Sequence, residues 1–548
     1  MCIQMCKFQP QQLDYTEADE YQLSGFIRRY RVIIVRPFIT YKFMLNKLLI
    51  TSLGIIPLAT GCTRPDQKKP DRPNFIFILV DDMGWKDVGF MGSKFYETPH
   101  IDKLSREGIV FTNAYASCPV SSPTRASLMT GKYSVNTGVT DWIPGRQTSK
   151  PGLPEDNLLS LPFKNQLDLE EITIAEILRD NGYSTMISGK WHLGEDSLFW
   201  PENQGFNINK GGYNKGAPDK SNKSNGYFSP YGNPRLKDGP VGEYLTDRQT
   251  QEVINFIEES ADTPFFVYLP YYAVHNPMQA KEEHIRHFRS KADSMNITDV
   301  QQFTKENEWI KSAPPGDFKE RSIQSSADYA SMIYSMDENI GRLLDKLRML
   351  NLDQNTIVIF TSDNGGLSTA EGSPTTNYPL RAGKGWLYEG GIRVPLIIKA
   401  PGFLKEAGTT DVPVSTIDFF PTIFDISNST IEDLKIDGIS ILSLLNSNRL
   451  PDRPLFWHYP HYSNQGGDPG SAVRFGDFKL IDNFETGRLE LYDLKNDISE
   501  LNDISEMHPE KVKELYNMLN DWRIKSGAKM MDINPEAANK KPDLRGQN

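Results

Sequence analysis

Asn74-Phe75-Ile76-Phe77-Ile78-Leu79-Val80, followed at once by Asp81-Asp82-Met83-Gly84, is the stretch on which the fold turns. The apolar run has no polar face, so a strand here must be covered on both sides. A sheet lying between two layers of helices does that. Asp81 and Asp82 then stand at the carboxyl end of the strand, where open α/β sheets bind their ligands. Two carboxylates at such a place either cap a turn or hold a ligand, and this strand alone does not choose between them.

The pattern recurs further along. Thr356-Ile357-Val358-Ile359-Phe360 is a second buried strand, and Ser362-Asp363-Asn364-Gly365-Gly366 closes it. Residues 184–188 and 265–269 read as two more strands. Thr173-Ile174-Ala175-Glu176 is a capping box that opens a helix ending near Asn181-Gly182. Tyr329, Ile333, Met336, Ile340, Leu343, Leu344 and Leu347 recur at three- and four-residue spacing, which gives a helix one apolar face. Buried strands alternating with such helices predict a layered α/β domain over residues 73–450. Residues 196–240 and 276–325 are polar with little periodicity and read as long loops. After residue 450 the texture changes. Short strands at 471–474, 478–481 and 489–492, then a helix near 508–525, predict a smaller α+β subdomain over 451–530. Residues 531–548 read as a polar, mobile tail.

Of 548 residues, 71 are acidic and 60 basic, a net charge of −11. That argues against nucleic acid as a partner. An anionic substrate must therefore be drawn in by local positive charge. Four cysteines, Cys2, Cys6, Cys62 and Cys118, offer no disulfide framework. Lys42 and Lys47 precede a short apolar run, Leu48 to Leu58, and Ala59-Thr60-Gly61-Cys62 follows. This is the grammar of an export signal. Its end resembles a bacterial lipobox, with a lipid on Cys62 and a periplasmic or cell-surface location. Residues 44–61 would be the signal, 62–72 a polar tether, and 1–43 an extension ahead of a true start at Met44. The other reading is ordinary secretion.

Three further stretches carry chemistry. Ser121-Ser122-Pro123-Thr124-Arg125 opens a run ending in Leu128-Met129-Thr130-Gly131-Lys132. A serine there can cap a helix, and a helix N-terminus can also hold an anion. Gly189-Lys190-Trp191-His192-Leu193-Gly194 leaves the 184–188 strand, with Lys190 and His192 on one side if the chain stays extended. Arg381-Ala382-Gly383-Lys384-Gly385-Trp386 places a lysine between glycines, where it can approach a ligand closely. His275 follows the 265–269 strand and can act as a general acid or pack on Pro277. Asp81, Asp82, Asp363 and Asn364 are hard oxygen donors without His or Cys, which favours calcium or magnesium over zinc.

Together these motifs resemble those of the formylglycine-dependent sulfatases of the alkaline phosphatase-like superfamily. The resemblance spans about residues 73–500. It implies a large mixed sheet flanked by helices on both faces. It implies that Ser121 is oxidised to formylglycine, whose hydrate attacks sulfur, and that one calcium ion is held by Asp81, Asp82, Asp363, Asn364 and the modified residue 121. Arg125 would hold formylglycine and metal-bound oxygens. Lys190 and Lys384 would bind sulfate, His275 would protonate the leaving oxygen, and His192 would promote release of sulfate. Serine rather than cysteine at 121 implies an anaerobic, radical-type maturating enzyme.

The substrate reading is coarser. His458 and His461, in Trp457-His458-Tyr459-Pro460-His461-Tyr462, and Arg474 form a cluster that either faces a sugar or packs the subdomain. A sulfated carbohydrate is expected, with galactose or N-acetylgalactosamine sulfate the particular guess. Two alternatives stand beside it. One is a phosphodiester or phosphonate monoester hydrolase of the same superfamily. The other is a non-catalytic, glycan-binding surface lipoprotein in which Ser121 is never modified.

Overall fold

The computed structural model describes residues 72–145, 156–221, 223–298, 300–303, 320–430, 434–446 and 449–538. The signal, Cys62 and all of the tether but Arg72 lie outside these residues. Lys68–Asn548 forms one compact unit. Asn74–Val80 is a strand buried along its whole length. It lies inside a nine-stranded mixed sheet, parallel to Thr356–Ser362 on one side and Phe265–Pro270 on the other. Ser184–Ser188 and Ile208–Lys210 continue the parallel half. On the opposite side Arg393–Lys399 runs antiparallel to both Thr356–Ser362 and Ile109–Tyr115.

Side chains of Asn74–Val80 alternate between two cores, as a pleated strand requires. Ile76, Ile78 and Val80 join one core with the helices Leu245–Glu259 and Ala327–Met349. Phe75, Phe77 and Leu79 join the other, beneath Ile174–Asp180 and Phe419–Ile426. Helices thus cover both faces. The capping box at Thr173 forms as expected, with Thr173 Oγ1 accepting from the Glu176 amide.

A second, four-stranded antiparallel sheet runs in the order Leu455–Tyr459, Gly470–Phe475, Phe478–Asn483, Arg488–Asp493. The helix Pro509–Ser526 packs against it.

Three sequence expectations need correction. Residues 276–325 are not all loop, because Glu282–Ser294 is a helix. Its apolar stripe is only Ile285, Phe288 and Ala292, set among charges, too sparse to stand out in the sequence. Residues 531–538 are not a free tail. Asn534 is buried, and its amide groups donate to the carbonyls of Asn157 and Asp156, both at 2.8 Å. Third, the chain does not stay extended through Lys190 and His192, because His192 takes a φ of 61°. Cys118 is a free, buried thiol.

Candidate active site

Strand direction gathers the chemistry at one edge of the sheet. Val80 pairs with Ser362 in parallel register, so Asp81 and Asp363 leave the sheet side by side. The parallel strands Ser184–Ser188 and Phe265–Pro270 deliver Lys190 and His275 to the same edge. Ile109–Tyr115 leads there into the helix Ser121–Thr130, and Arg393–Lys399, running the other way, begins just after the Lys384 loop.

Asp81, Asp82 and Asp363 offer carboxylate oxygens within 4.8 Å of one another, all buried. Cations surround them. Lys190 Nζ donates to Asp81 at 2.8 and 2.9 Å. Lys384 Nζ donates to Asp82 Oδ2 at 2.8 Å. Arg125 donates to Asp363 Oδ2 through Nε at 3.0 Å and Nη2 at 2.7 Å. Asn364 Nδ2 donates to Asp82 Oδ1 at 2.8 Å. Ser121 Oγ lies 3.2 Å from Asp81 Oδ1, 3.3 Å from Asn364 Oδ1 and 3.3 Å from Lys190 Nζ.

Charge and burial compete at each group. Burial, with Asp363 beside it, pushes the Asp81 carboxyl up to about 6 against the pull of Lys190. Burial opposes ionisation of Asp82 too, but Lys384 and His275 outweigh it and hold that carboxyl low. Arg125 and Lys190 do the same for Asp363. Burial and the neighbouring Lys190 keep His192 neutral. Three carboxylates and an amide oxygen suit a hard divalent cation such as calcium or magnesium.

One sequence reading changes in detail. Ser121 does not cap its helix, since Val120 is the N-cap residue and no side-chain cap bond forms. That leaves the Ser121 hydroxyl turned to Asp81 and Asn364. Arg125 sits one turn on and holds Asp363, one of the carboxylates expected to bind the metal.

A cavity of about 400 Å³ opens above the cluster. Ser121, Lys190, His192, His275 and Lys384 line it. His275 Nδ1 lies 2.9 Å from the Asn276 carbonyl, which can only accept, so Nδ1 carries the proton and donates. Its Nε2 lies 3.2 Å from Lys384 Nζ and 3.5 Å from Asp82 Oδ2. His192 Nε2 lies 2.5 Å from the Ile143 carbonyl, while its Nδ1 has no protein partner among the described residues.

His458, His461 and Arg474 do not reach this cavity. His458 bonds Ser471 Oγ and the Lys529 carbonyl, His461 bonds Thr140, and Arg474 bonds the Tyr115 hydroxyl. All three are buried. The cluster fills subdomain packing, so the expectation of a substrate-facing trio is not met. The walls come instead from Trp142, Glu195, Asn214, Lys215, Glu371 and Gln465, which the motifs did not single out. The only advance signal was the Gly- and Asn-rich loop through 196–240.

Comparison with known proteins agrees with this geometry. The sulfatase family pattern matches residues 73–429, and the pattern for the C-terminal region of N-sulphoglucosamine sulphohydrolase matches 382–525. A sulfatase of Formosa agariphila is 30% identical over 88% of this chain and 94% of its own length. N-acetylgalactosamine-6-sulfatase of Canis lupus familiaris is 28% identical over 75% of this chain and 72% of its own. The solved structure of Ps i-CgsB in complex with k-i-k-neocarrahexaose superposes with a TM-score of 0.65 at 27% identity, covering 82% of this chain and 92% of that one. The protein belongs to the sulfatase family, is built on its alkaline phosphatase-like fold, and is a sulfuric ester hydrolase.

Proposed function

We propose that this enzyme removes sulfate from sulfated sugars, acting at a terminal ring, with Ser121 converted to formylglycine and calcium held by Asp81, Asp82, Asp363, Asn364 and residue 121. The observation that carries the reading is that Ser121, Lys190 and Lys384 line one cavity and each reaches a buried carboxylate of the acidic cluster, Ser121 and Lys190 at Asp81 and Lys384 at Asp82. When present, the ion would polarise sulfate oxygens, and the hydrated aldehyde would supply a nucleophile able to let sulfate go again, which a plain serine ester cannot do.

The chain's own residues do the rest. Lys190 and Lys384 bind sulfate oxygens and offset the charge that spreads over them as the ester bond breaks. Arg125 fixes Asp363. His275 is anchored through Nδ1, so in the doubly protonated ring Nε2 is the nitrogen that hands its proton to the departing sugar oxygen and leaves the Nδ1–H tautomer. His192, kept neutral, takes up a proton at the nitrogen without a partner.

A cavity of about 400 Å³ admits a ring or two, near the small end of ligand sites, which supports exo action. Two relatives direct the choice of sugar: one is named for N-acetylgalactosamine 6-sulfate chemistry and the other holds a neocarrahexaose. Galactose-type sulfates are therefore the proposed substrates. Serine at 121 supports maturation by an anaerobic radical-type enzyme. The Cys62 lipobox supports a bacterial envelope lipoprotein. Among the described residues no helix is long and apolar enough to cross a membrane.

The test is turnover of matched sulfate, phosphodiester and phosphonate esters of galactose and N-acetylgalactosamine. Preference for the sulfate esters is expected. Preference for the phosphorus esters would favour the phosphonate hydrolase reading, and binding without turnover the non-catalytic one.

A further inference from the structure

The Lys384 loop is held at both of its ends by one residue of the C-terminal region, Glu500. The loop closes on itself where the Gly390 amide donates to the Arg381 carbonyl at 2.9 Å. At its start, Arg381 Nη1 donates to the Glu500 carbonyl at 2.9 Å. At its end, the Glu389 amide donates to Glu500 Oε2 at 2.6 Å. Lys479, on the strand Phe478–Asn483, bridges Glu500 Oε1 at 2.9 Å and Glu389 Oε1 at 3.0 Å. Tyr115 and Arg393 complete Glu389 from the catalytic sheet side, at 2.8 and 3.3 Å.

Lys479, Glu389 and Glu500 are wholly out of solvent. A buried ion cluster of this kind is a poor route to stability, since apolar residues of the same volume often serve as well or better. What it does supply is a fixed geometry. Two non-glycine residues at this junction, Ala382 (φ 58°) and Glu500 (φ 51°), also hold left-handed backbone. Such conformations persist only where the surroundings dictate them. Within the loop so framed, Lys384 N donates to the Gly366 carbonyl and Gly385 N to the Pro119 carbonyl, which carries the lysine over Asp82.

We propose that Glu500, bridged by Lys479, is a positioning residue for Lys384, so that the C-terminal region sets the sulfate-binding lysine without touching substrate. The inference rests on Lys384 being a sulfate ligand.

The test is a double-mutant cycle read by the dissociation constant for inorganic sulfate, measured calorimetrically on the calcium-loaded full chain. Glu500→Gln keeps the size and an acceptor oxygen but removes the charge. It should weaken sulfate about tenfold in the parent, within the range of coupled pairs, and by less than about twofold in a Lys384→Met background. Glu500→Asp should recover part of the loss. Equal weakening in both backgrounds, or unchanged affinity with a lowered melting temperature, would reduce Glu500 to a general support of the fold and overturn the proposal. If Glu500→Gln fails to fold, Arg381→Met enters the same cycle, as it removes the bond to the Glu500 carbonyl together with the contacts to Tyr492 and the Tyr388 ring. A parent protein that does not bind sulfate, or a Lys384→Met variant that binds it as tightly as the parent, would sink the reading of Lys384 itself.

Discussion

His461 shows what burial does to a single titrating side chain. Loss of solvent, and secondarily the neighbouring His458, pushes its imidazole down to about 3. The folded protein therefore keeps it neutral, while the unfolded chain takes up a proton near pH 6.5. Where the unfolded state binds the extra proton, stability rises with pH. The neutral-pH stability from this group is thus whole above about pH 6.5 and is lost as the pH falls toward 3, at about 1.4 kcal/mol per unit. Asp337 and Glu500, both raised to about 7, titrate nearby with the opposite sign, so the histidine must be isolated by difference. Urea unfolding of the parent and His461→Asn should show the parent's advantage shrinking by about 2 kcal/mol between about pH 7.5 and about pH 5. A difference independent of pH would mean that His461 takes up its proton as readily in the folded protein as in the unfolded chain. The same residue marks a limit of sequence reading. Asp81, Asp82, Asp363, Lys190 and Lys384 were legible because each follows a strand or sits in a spaced motif. His458, His461 and Arg474 carried the right chemistry in a cluster whose sequence left open whether it faces a sugar or packs the subdomain.

At the scale of elements, the strands with unbroken apolar runs declared themselves, and those with polar or proline-bearing sequences did not. Arg393–Lys399 is a central strand although it contains Pro395. It is tolerated because the partner strand shifts register there, between Phe111 and Ala114, opposite Leu396 and Val394. A bulge needs no ladder bond from the missing N–H. Ile109–Tyr115 carries Thr112 and Asn113 at the same bulge, which interrupts its apolar pattern. The loop bearing Asn214–Ala217 is the element that closes over His192. A Cβ at Gly216 would lie 2.5 Å from His192 Cε1. Gly216→Ala should therefore displace the imidazole and lower kcat by about tenfold or more, as small misplacements of catalytic groups do, with little change in melting temperature. Unchanged kcat would show that His192 is not constrained from that side.

For the molecule as a whole, the mixed sheet brings segments from residue 81 to residue 384 to one edge, and its buried floor concentrates three carboxylates. A cation bound only by the folded state stabilises it by mass action, about 2.7 kcal/mol at a hundredfold excess over its dissociation constant. Chelation with EGTA should lower the melting temperature by several degrees and abolish turnover, and calcium should restore both. A melting curve indifferent to calcium would show that Lys190, Lys384 and Arg125 alone neutralise the cluster.

Everything in the proposed chemistry converges on residue 121. Mass spectrometry of the peptide spanning Ser121, from protein made anaerobically in its native host, tests it most directly. Loss of two hydrogens at Ser121, alcohol to aldehyde, is the expected result. An unaltered serine in protein that still hydrolyses sulfate esters would contradict the account.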